Sequence, residues 1–270
     1  MLSEMVREFK EKINKGPVFG VFSKTSDPAF IECLGYAGFD FVIIDMEHAP
    51  HHLSNMQNLI RAAQIAKIVP IVRIIENSYH LINQVLDIGA AGVQIPHVKC
   101  KEDVKEILEH AKFFPKGSRG MCRYVRAAKY SSIKGEEYFK RANENLIIIQ
   151  IEGKEGFENL DSIIKQGGFD ILFIGPYDLS QSLGVPGNIE HPLVLETVNK
   201  IVKKCNEKQI IVGNFNDSMP MAKMWIDKGI RYISYSVDVG LFYDASKKLA
   251  QRKRDLKNKL FIKVGGNGKV

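Results

Sequence analysis

The sequence predicts an α/β protein folded as a (β/α)8 barrel, and three observations predict it. Short β-branched runs alternate with longer segments of helical period along the chain. The runs are nearly continuous in Val, Ile and Phe, without in/out alternation, as parallel strands covered on both faces are. The unit recurs eight times within 270 residues, a length that suits such a barrel. An open doubly wound sheet of fewer strands is the rival architecture.

Taken in order, "MLSEMVREFKEKINKG" reads as a charged amphipathic helix and not as a signal peptide, so the expected address is the cytoplasm. Strands are expected at 18–23, 39–45, 69–75, 91–98, 145–153, 169–176, 209–215 and 231–238. Between and after them, helices are expected at roughly 27–37, 53–67, 78–88, 101–112, 157–167, 190–207, 217–228 and 239–254. Several strands follow a glycine suited to ending the preceding helix, as in "YAGFDF", "DIGAAGV", "KQGGFDI" and "DKGIRYI". The stretch from Pro115 to Asn143 breaks this rhythm, being rich in Arg and Tyr with no strand. It is expected to pack on the barrel mouth or on a neighbouring subunit. The domain reading is one barrel over 1–254 carrying an inserted segment at 115–144, then a basic, flexible tail at 255–270. The glycine-rich end "VGGNGKV" neither follows a strand nor opens a helix and is read as disordered.

Hydrophobic content of 45% and charged content of 26% describe an ordinary soluble globular chain. No apolar run approaches the roughly 20 residues that cross a bilayer, so no membrane partner is expected. Cys33, Cys100, Cys122 and Cys205 are scattered without a C-x-x-C pair. That spacing argues against zinc ribbons and disulfide frameworks and suits a reducing compartment. The net charge of +7 resides in 247–263, where eight basic residues face the single acid Asp255. Without interleaved aromatics or a base-reading motif, that stretch reads as solvated surface and not as a nucleic-acid site.

A (β/α)8 barrel places its chemistry at the carboxyl ends of its strands, and there the sequence turns polar. Strand two ends in Asp45, Glu47 and His48, strand three carries Arg73, strand five ends in Gln150 and Glu152, and strand six leads to Asp178. Glu152 and Asp178 follow adjacent strands, and two neighbouring carboxylates repel unless a cation lies between them. A hard divalent ion such as Mg²⁺ or Mn²⁺ would resolve this, as would separate Lys or Arg partners or exposure to solvent. Arg73 is flanked by aliphatics in "VPIVRII" and needs an anion. Its partner is either a structural carboxylate, such as Glu76 or Asp45, or a substrate carboxylate or enolate. His48 opens a loop where Asp45, Glu47 and, more distantly, Asp87 are candidates to orient it as a proton shuttle; a satisfied surface histidine is the plainer reading. His51 and His52 lie beyond Pro50 and are expected in solvent. No Lys ends a core strand (Lys99 comes nearest), which makes a Schiff base less attractive than metal assistance. "GPYDLSQSLG" holds Ser180 but no G-x-S-x-G elbow, and Gly184 closes a short helix.

Six motifs in one order, "AGFDFVIIDMEHAP", "VPIVRI", "VLDIGAAGVQIPHV", "GSRG", "IIIQIEG" and "FIGPYDLSQSLG", resemble the HpcH/HpaI aldolase family from about Gly16 to Leu249. These are metal-dependent, class II pyruvate aldolases related to the citrate lyase β subunit, on a TIM barrel of the phosphoenolpyruvate/pyruvate type. The resemblance implies that Glu152 and Asp178 bind a divalent ion, Mg, Mn or Co. It implies that His48 is the acid–base group, with Asp45 and Asp87 orienting it, and that Arg73 and Gln150 stand at the substrate. Backbone amides around Tyr177 and Asp178 would receive the pyruvyl carboxylate, with Gly175 and Pro176 of the same turn also at the substrate. The implied reaction is reversible cleavage of a 4-hydroxy-2-oxo acid to pyruvate and an aldehyde, as in 2-dehydro-3-deoxyglucarate aldolases. In that reaction His48 takes the 4-hydroxyl proton, and the ion and Arg73 are counter-charges to a pyruvate enolate. The resemblance further implies homohexamers built as trimers of dimers with an exchanged helix. Two departures concern the aldehyde: the bulky Tyr177 in G-P-x-D, and "MCRYVRAAKY" around Arg126. Two rivals are an acyl-CoA lyase of the citrate lyase β or malyl-CoA lyase type, and a non-catalytic oxo-acid-binding barrel.

Overall fold

The computed structural model describes residues 2–265. Helix α1 (Leu2–Lys15) comes first, and the chain then runs β1 (Val18–Ser23), α2 (Pro28–Tyr36), β2 (Phe41–Asp45), α3 (Leu53–Ile65), β3 (Val69–Arg73), α4 (Tyr79–Asp87), β4 (Gly92–Ile95) and α5 (Lys101–Ala111). After α6 (Gly135–Ala142) come β5 (Leu146–Ile151), α7 (Lys154–Glu158), α8 (Leu160–Gln166), β6 (Ile171–Ile174), α9 (Pro176–Ser182) and α10 (Pro192–Glu207). The chain ends with β7 (Ile211–Asn216), α11 (Met219–Asp227), β8 (Tyr232–Val237) and α12 (Asp238–Gly265). The eight strands pair in sequence order, all in parallel, and β8 closes on β1.

The absence of alternation in the strands has a direct cause: both faces are buried, by different partners. One set of alternate residues, including Val42, Ile44, Val72, Ile147 and Ile149, packs under the surrounding helices. The other, including Phe41, Ile43, Ile71, Ile148 and Phe173, fills the barrel interior. Continuing the inward series towards the carboxyl ends brings Asp45, Arg73, Gln94 and Gln150 onto the interior side at the mouth. The register makes Asp45 and Arg73 cross-strand partners, and then Arg73 and Gln94.

Helix α1 closes the opposite end. Val6, Phe9 and Ile13 form its buried stripe. The Phe9 ring meets Phe41 edge-on at 6.0 Å, and Phe41 stacks on Tyr232 at 3.9 Å. Gly20 makes room for that pair, since a Cβ there would lie 2.3 Å from the Phe41 ring and 2.5 Å from its carbonyl oxygen.

Three expectations change. The segment between α5 and β5 folds as a loop, a 3₁₀ turn (Arg126–Ala128) and α6 around the small core of Phe113, Ala128, Tyr138 and Ala142. It is a helix-to-strand connection and therefore lies at the amino-terminal face of the barrel, not at the mouth. Arg126 goes with it, donating to the Ile88 carbonyl at 3.0 Å and to Gln64 at 2.6 Å. The expected helix at 157–167 is two helices, α7 and α8, separated at Asn159. Finally, α12 does not stop at 254 but continues to Gly265, so the first part of the expected flexible tail is helical. Residues 266–270, most of the stretch read as disordered, lie outside the described residues.

Candidate active site

Asp45 organises the mouth. Its carboxylate accepts a bidentate pair from Arg73, Nε at 2.9 Å and Nη2 at 2.8 Å, and a third bond from Lys24 Nζ at 2.6 Å. It also accepts from the backbone N–H groups of Glu47 at 3.1 Å and His48 at 3.4 Å. Burial would raise its pKa, but Arg73 and Lys24 outweigh that and hold it at about 2. Of the partners considered for Arg73, Asp45 is therefore the one found. The arginine Nη1 also lies 2.9 Å from Glu47, and the guanidinium stacks on Phe22 at 4.6 Å. Lys24 is aimed by Asp238, whose carboxylate caps the turn after β1 through the N–H groups of Lys24 and Thr25.

Glu152, just past β5, is buried to within 3%. Its Oε1 accepts from the His97 backbone N–H at 2.8 Å and lies 3.0 Å from His97 Nδ1. Its Oε2 accepts from the Gln150 amide, and Gln94 donates to Gln150 at 2.5 Å, so a line of amides from β4 and β5 supports the carboxyl. Gly175 allows the turn after β6 to close on this group, because a Cβ there would sit 2.6 Å from Glu152 Oε2. Burial pushes the Glu152 pKa up to about 7; bonds from Gln150 and His97 oppose the rise, and the Asp178 charge adds to it.

The predicted residues divide by place. His48, Arg73, Gln150, Gly175, Pro176, Tyr177 and Asp178 line one cavity of about 370 Å³ at the mouth. Asp45 stands beneath it, but its oxygens are taken by Arg73, Lys24 and backbone amides, so it fixes the chain at His48 and does not orient the imidazole. The nearest carboxylate to that ring is Glu47, 3.9 Å from His48 Nε2. Asp87 ends α4, at the opposite face of the barrel, and pairs there with Arg119. Within this chain it cannot orient His48. His51, expected in solvent, is buried, with Nδ1 3.3 Å from the Asn55 amide.

His97 was missed. It follows "QIP" after β4, and its left-handed backbone (φ 56°) turns the ring back so that Nε2 lies 3.0 Å from Glu47 and Nδ1 3.0 Å from Glu152. The signal available was a polar residue just past a strand end, the same signal that singled out Glu152. Ligand atoms of Glu47, His97 and Glu152 lie within 4.8 Å of one another, close enough to share an ion. A buried carboxyl with a raised pKa beside a second carboxylate is a site that a dication would relieve.

A family profile described as HpcH/HpaI aldolase/citrate lyase matches residues 18–245, which includes all of these groups. The chain belongs to the HpcH/HpaI aldolase/citrate lyase family. It is 33% identical over 232 residues to a 5-keto-4-deoxy-D-glucarate aldolase of Escherichia coli O157:H7 (strain EC4115 / EHEC), covering 86% of this chain and 90% of that one. It is also 33% identical over 240 residues to a 2-keto-3-deoxy-L-rhamnonate aldolase of Escherichia coli (strain K12), covering 88% and 89%. A solved structure, the citrate synthase SbnG, superposes with a TM-score of 0.82 at 32% identity, covering 92% of this chain and 98% of that one. With relatives of this kind over most of its length, this HpcH/HpaI protein is an enzyme of the aldolase class. No described helix is long and apolar enough to cross a membrane.

Proposed function

We propose that the protein is a divalent-metal-dependent aldolase that reversibly cleaves a 4-hydroxy-2-oxo acid to pyruvate and an aldehyde. The observation that carries this reading is the convergence of an exposed imidazole, a buried arginine and the Asp178 carboxylate on one cavity of about 370 Å³, with the buried Glu152 carboxyl packed against Gly175 of its lining. Glu152 and Asp178 would hold the ion, with Glu47 and His97 near enough to contribute. When bound, the ion supplies Lewis-acid polarisation of the 2-oxo oxygen.

The chain's own groups do the rest. His48 is exposed to the cavity, fixed at its backbone by Asp45, and takes the proton from the substrate 4-hydroxyl. As the C3–C4 bond breaks, its electron pair passes into the pyruvate enolate. Arg73 holds positive charge beside the developing enolate oxygen, and its pairing with Asp45 keeps it from swinging away. Protonation at C3 completes pyruvate, and the carbonyl formed at C4 leaves as the aldehyde. Gln150 and the turn from Gly175 to Asp178 flank the pyruvyl half. An Asp87 contribution at the imidazole would require a second chain to bring it there. The proposed setting is a homo-oligomer, with the hexamer as the form expected from relatives, in the cytoplasm, where its free cysteines stay reduced.

In a coupled lactate dehydrogenase assay across a panel of 4-hydroxy-2-oxo acids, EDTA should abolish pyruvate release and Mg²⁺, Mn²⁺ or Co²⁺ should restore it. Glu152→Ala should lose the metal response, and cleavage indifferent to chelator would refute the reading. The likeness to a citrate synthase favours one second reading, an enolate reaction with an acyl-CoA. Acetyl-CoA formed from malyl-CoA, without pyruvate release from any oxo acid, would select it.

A further inference from the structure

A single kinked residue past β4 ties two carboxylates together. Ile95 still pairs with Ile149 of β5, and the Val98 N–H bonds to β5 again, at the Gln150 carbonyl, 3.1 Å away. Between these two attachments His97 takes a left-handed backbone (φ 56°), which costs any residue with a Cβ. Pairing with β5 is kept on both sides of the kink, so the effect of the turn is on the direction of the ring. The His97 N–H donates to Glu152 Oε1 at 2.8 Å, and Nδ1 of the same residue lies 3.0 Å from that oxygen. Nε2 faces the other way, 3.0 Å from Glu47 Oε1, while Glu47 Oε2 lies 2.9 Å from Arg73 Nη1. The imidazole is 57% exposed, so these contacts, and not burial, fix its orientation.

Those distances sort the cluster into roles. One imidazole cannot give both of its nitrogens to one ion. The Nε2 side meets a carboxylate that Arg73 already holds, whereas the Nδ1 side meets the carboxyl proposed to bind the metal. Two neighbouring ligands about 2.1 Å from an octahedral ion stand about 3 Å apart, which matches the spacing of Nδ1 and Glu152 Oε1. A histidine that binds a metal through one nitrogen commonly donates from the other to a carboxylate, which fixes its tautomer and its ring. Glu47 stands where that carboxylate belongs.

We propose that His97 Nδ1 is a direct ligand of the divalent ion at Glu152, and that Glu47 is a positioning residue that holds the ring through Nε2–H. The proposal rests on the aldolase reading for the presence of an ion at Glu152, and it adds a nitrogen to a ligand set otherwise made of carboxylates. Imidazole suits the later first-row dications, whereas Mg²⁺ keeps to oxygen. His97 therefore biases the site towards Co²⁺ and away from Mg²⁺.

Pulsed electron paramagnetic resonance of the full chain loaded with Mn²⁺ reads whether nitrogen is bound to the ion. The echo envelope should carry nitrogen modulation in the unaltered protein, in His48→Gln and in His51→Gln, and should lose it in His97→Gln. In calorimetry, Glu47→Ala should weaken Co²⁺ binding by about 10–100-fold while keeping the nitrogen signal. His97→Gln should weaken Co²⁺ binding more than Mg²⁺ binding. Mn²⁺ bound to the unaltered protein without nitrogen modulation would overturn the proposal, as would a signal that survives in His97→Gln. If His97→Gln holds too little Mn²⁺ to read, retention of the signal in both other histidine variants supports the assignment and its loss in either overturns it. The two levels fail separately. Nitrogen on the ion of a protein that releases no pyruvate from any oxo acid sinks the aldolase reading alone, and chelator-sensitive pyruvate release with no nitrogen on the ion sinks only the His97 ligand.

Discussion

Asp45 shows how one buried carboxylate sets the geometry of the mouth. Its pKa of about 2 lies below the ordinary value, so its ionised form stabilises the fold fully above about pH 4. That contribution is lost as the pH falls from about 4 towards 2, as the folded-state group takes up its proton. Asp45→Asn should cost on the order of 2–3 kcal/mol at neutral pH and flatten the acid slope, as read from urea midpoints at several pH values. Equal acid slopes for the two proteins would contradict this. At His48, whose side chain is 58% exposed, the expected signature is different. His48→Gln should lower kcat by about 10²–10⁴-fold with metal affinity by calorimetry retained. A variant that lost metal binding as well would show that His48 does more than move a proton. Much of this was legible: Asp45, Arg73 and Gln150 share the parity of the inward-facing apolar residues, so their direction follows from the strand period. The use of Asp45 did not follow, because only the register sets Arg73 directly opposite it.

At the scale of elements, α1 is a plug whose worth can be measured. Phe9 is 3% exposed and touches both Phe41 and Tyr232, so Phe9→Ala should cost roughly 3–5 kcal/mol in denaturant unfolding. Gly20→Ala should destabilise by about 1–3 kcal/mol, since the Phe41 carbonyl oxygen leaves no room for the added methyl. A neutral result at Gly20 would mean that β1 shifts without penalty. The amphipathic stripe of α1 was plain in the sequence, but the surface it covers was not. For the segment after α5 the composition was a poor guide, because arginine and tyrosine suit a ligand pocket and a structural cap equally well. Chain direction decided: a segment that leaves a helix and enters a strand belongs to the amino-terminal face.

For the whole molecule, α12 is the unfinished surface. Phe242, Tyr243, Leu249 and Leu256 are each at least 60% exposed along it. An apolar series of that kind on one long helix calls for a partner surface, and a second copy of this chain fits the proposed oligomer. Sedimentation equilibrium at micromolar concentration should therefore show an oligomer, and the double variant Phe242→Asp, Leu249→Asp should weaken it. A stable monomer of the unaltered chain would refute the association.

Eight strands, the helices between them, and the end of the barrel that carries the chemistry are determined by local properties: side-chain period, β-branching, and the point at which apolar runs turn polar. Those properties act within a few residues and are visible along the chain. Which charged groups neutralise one another, that His97 turns back over Glu47 and Glu152, and that Asp87 and Arg126 stand at the face away from the mouth were decided only by the tertiary structure. Register, barrel closure and a single left-handed residue bring together groups separated by tens of positions, and no local pattern encodes those distances.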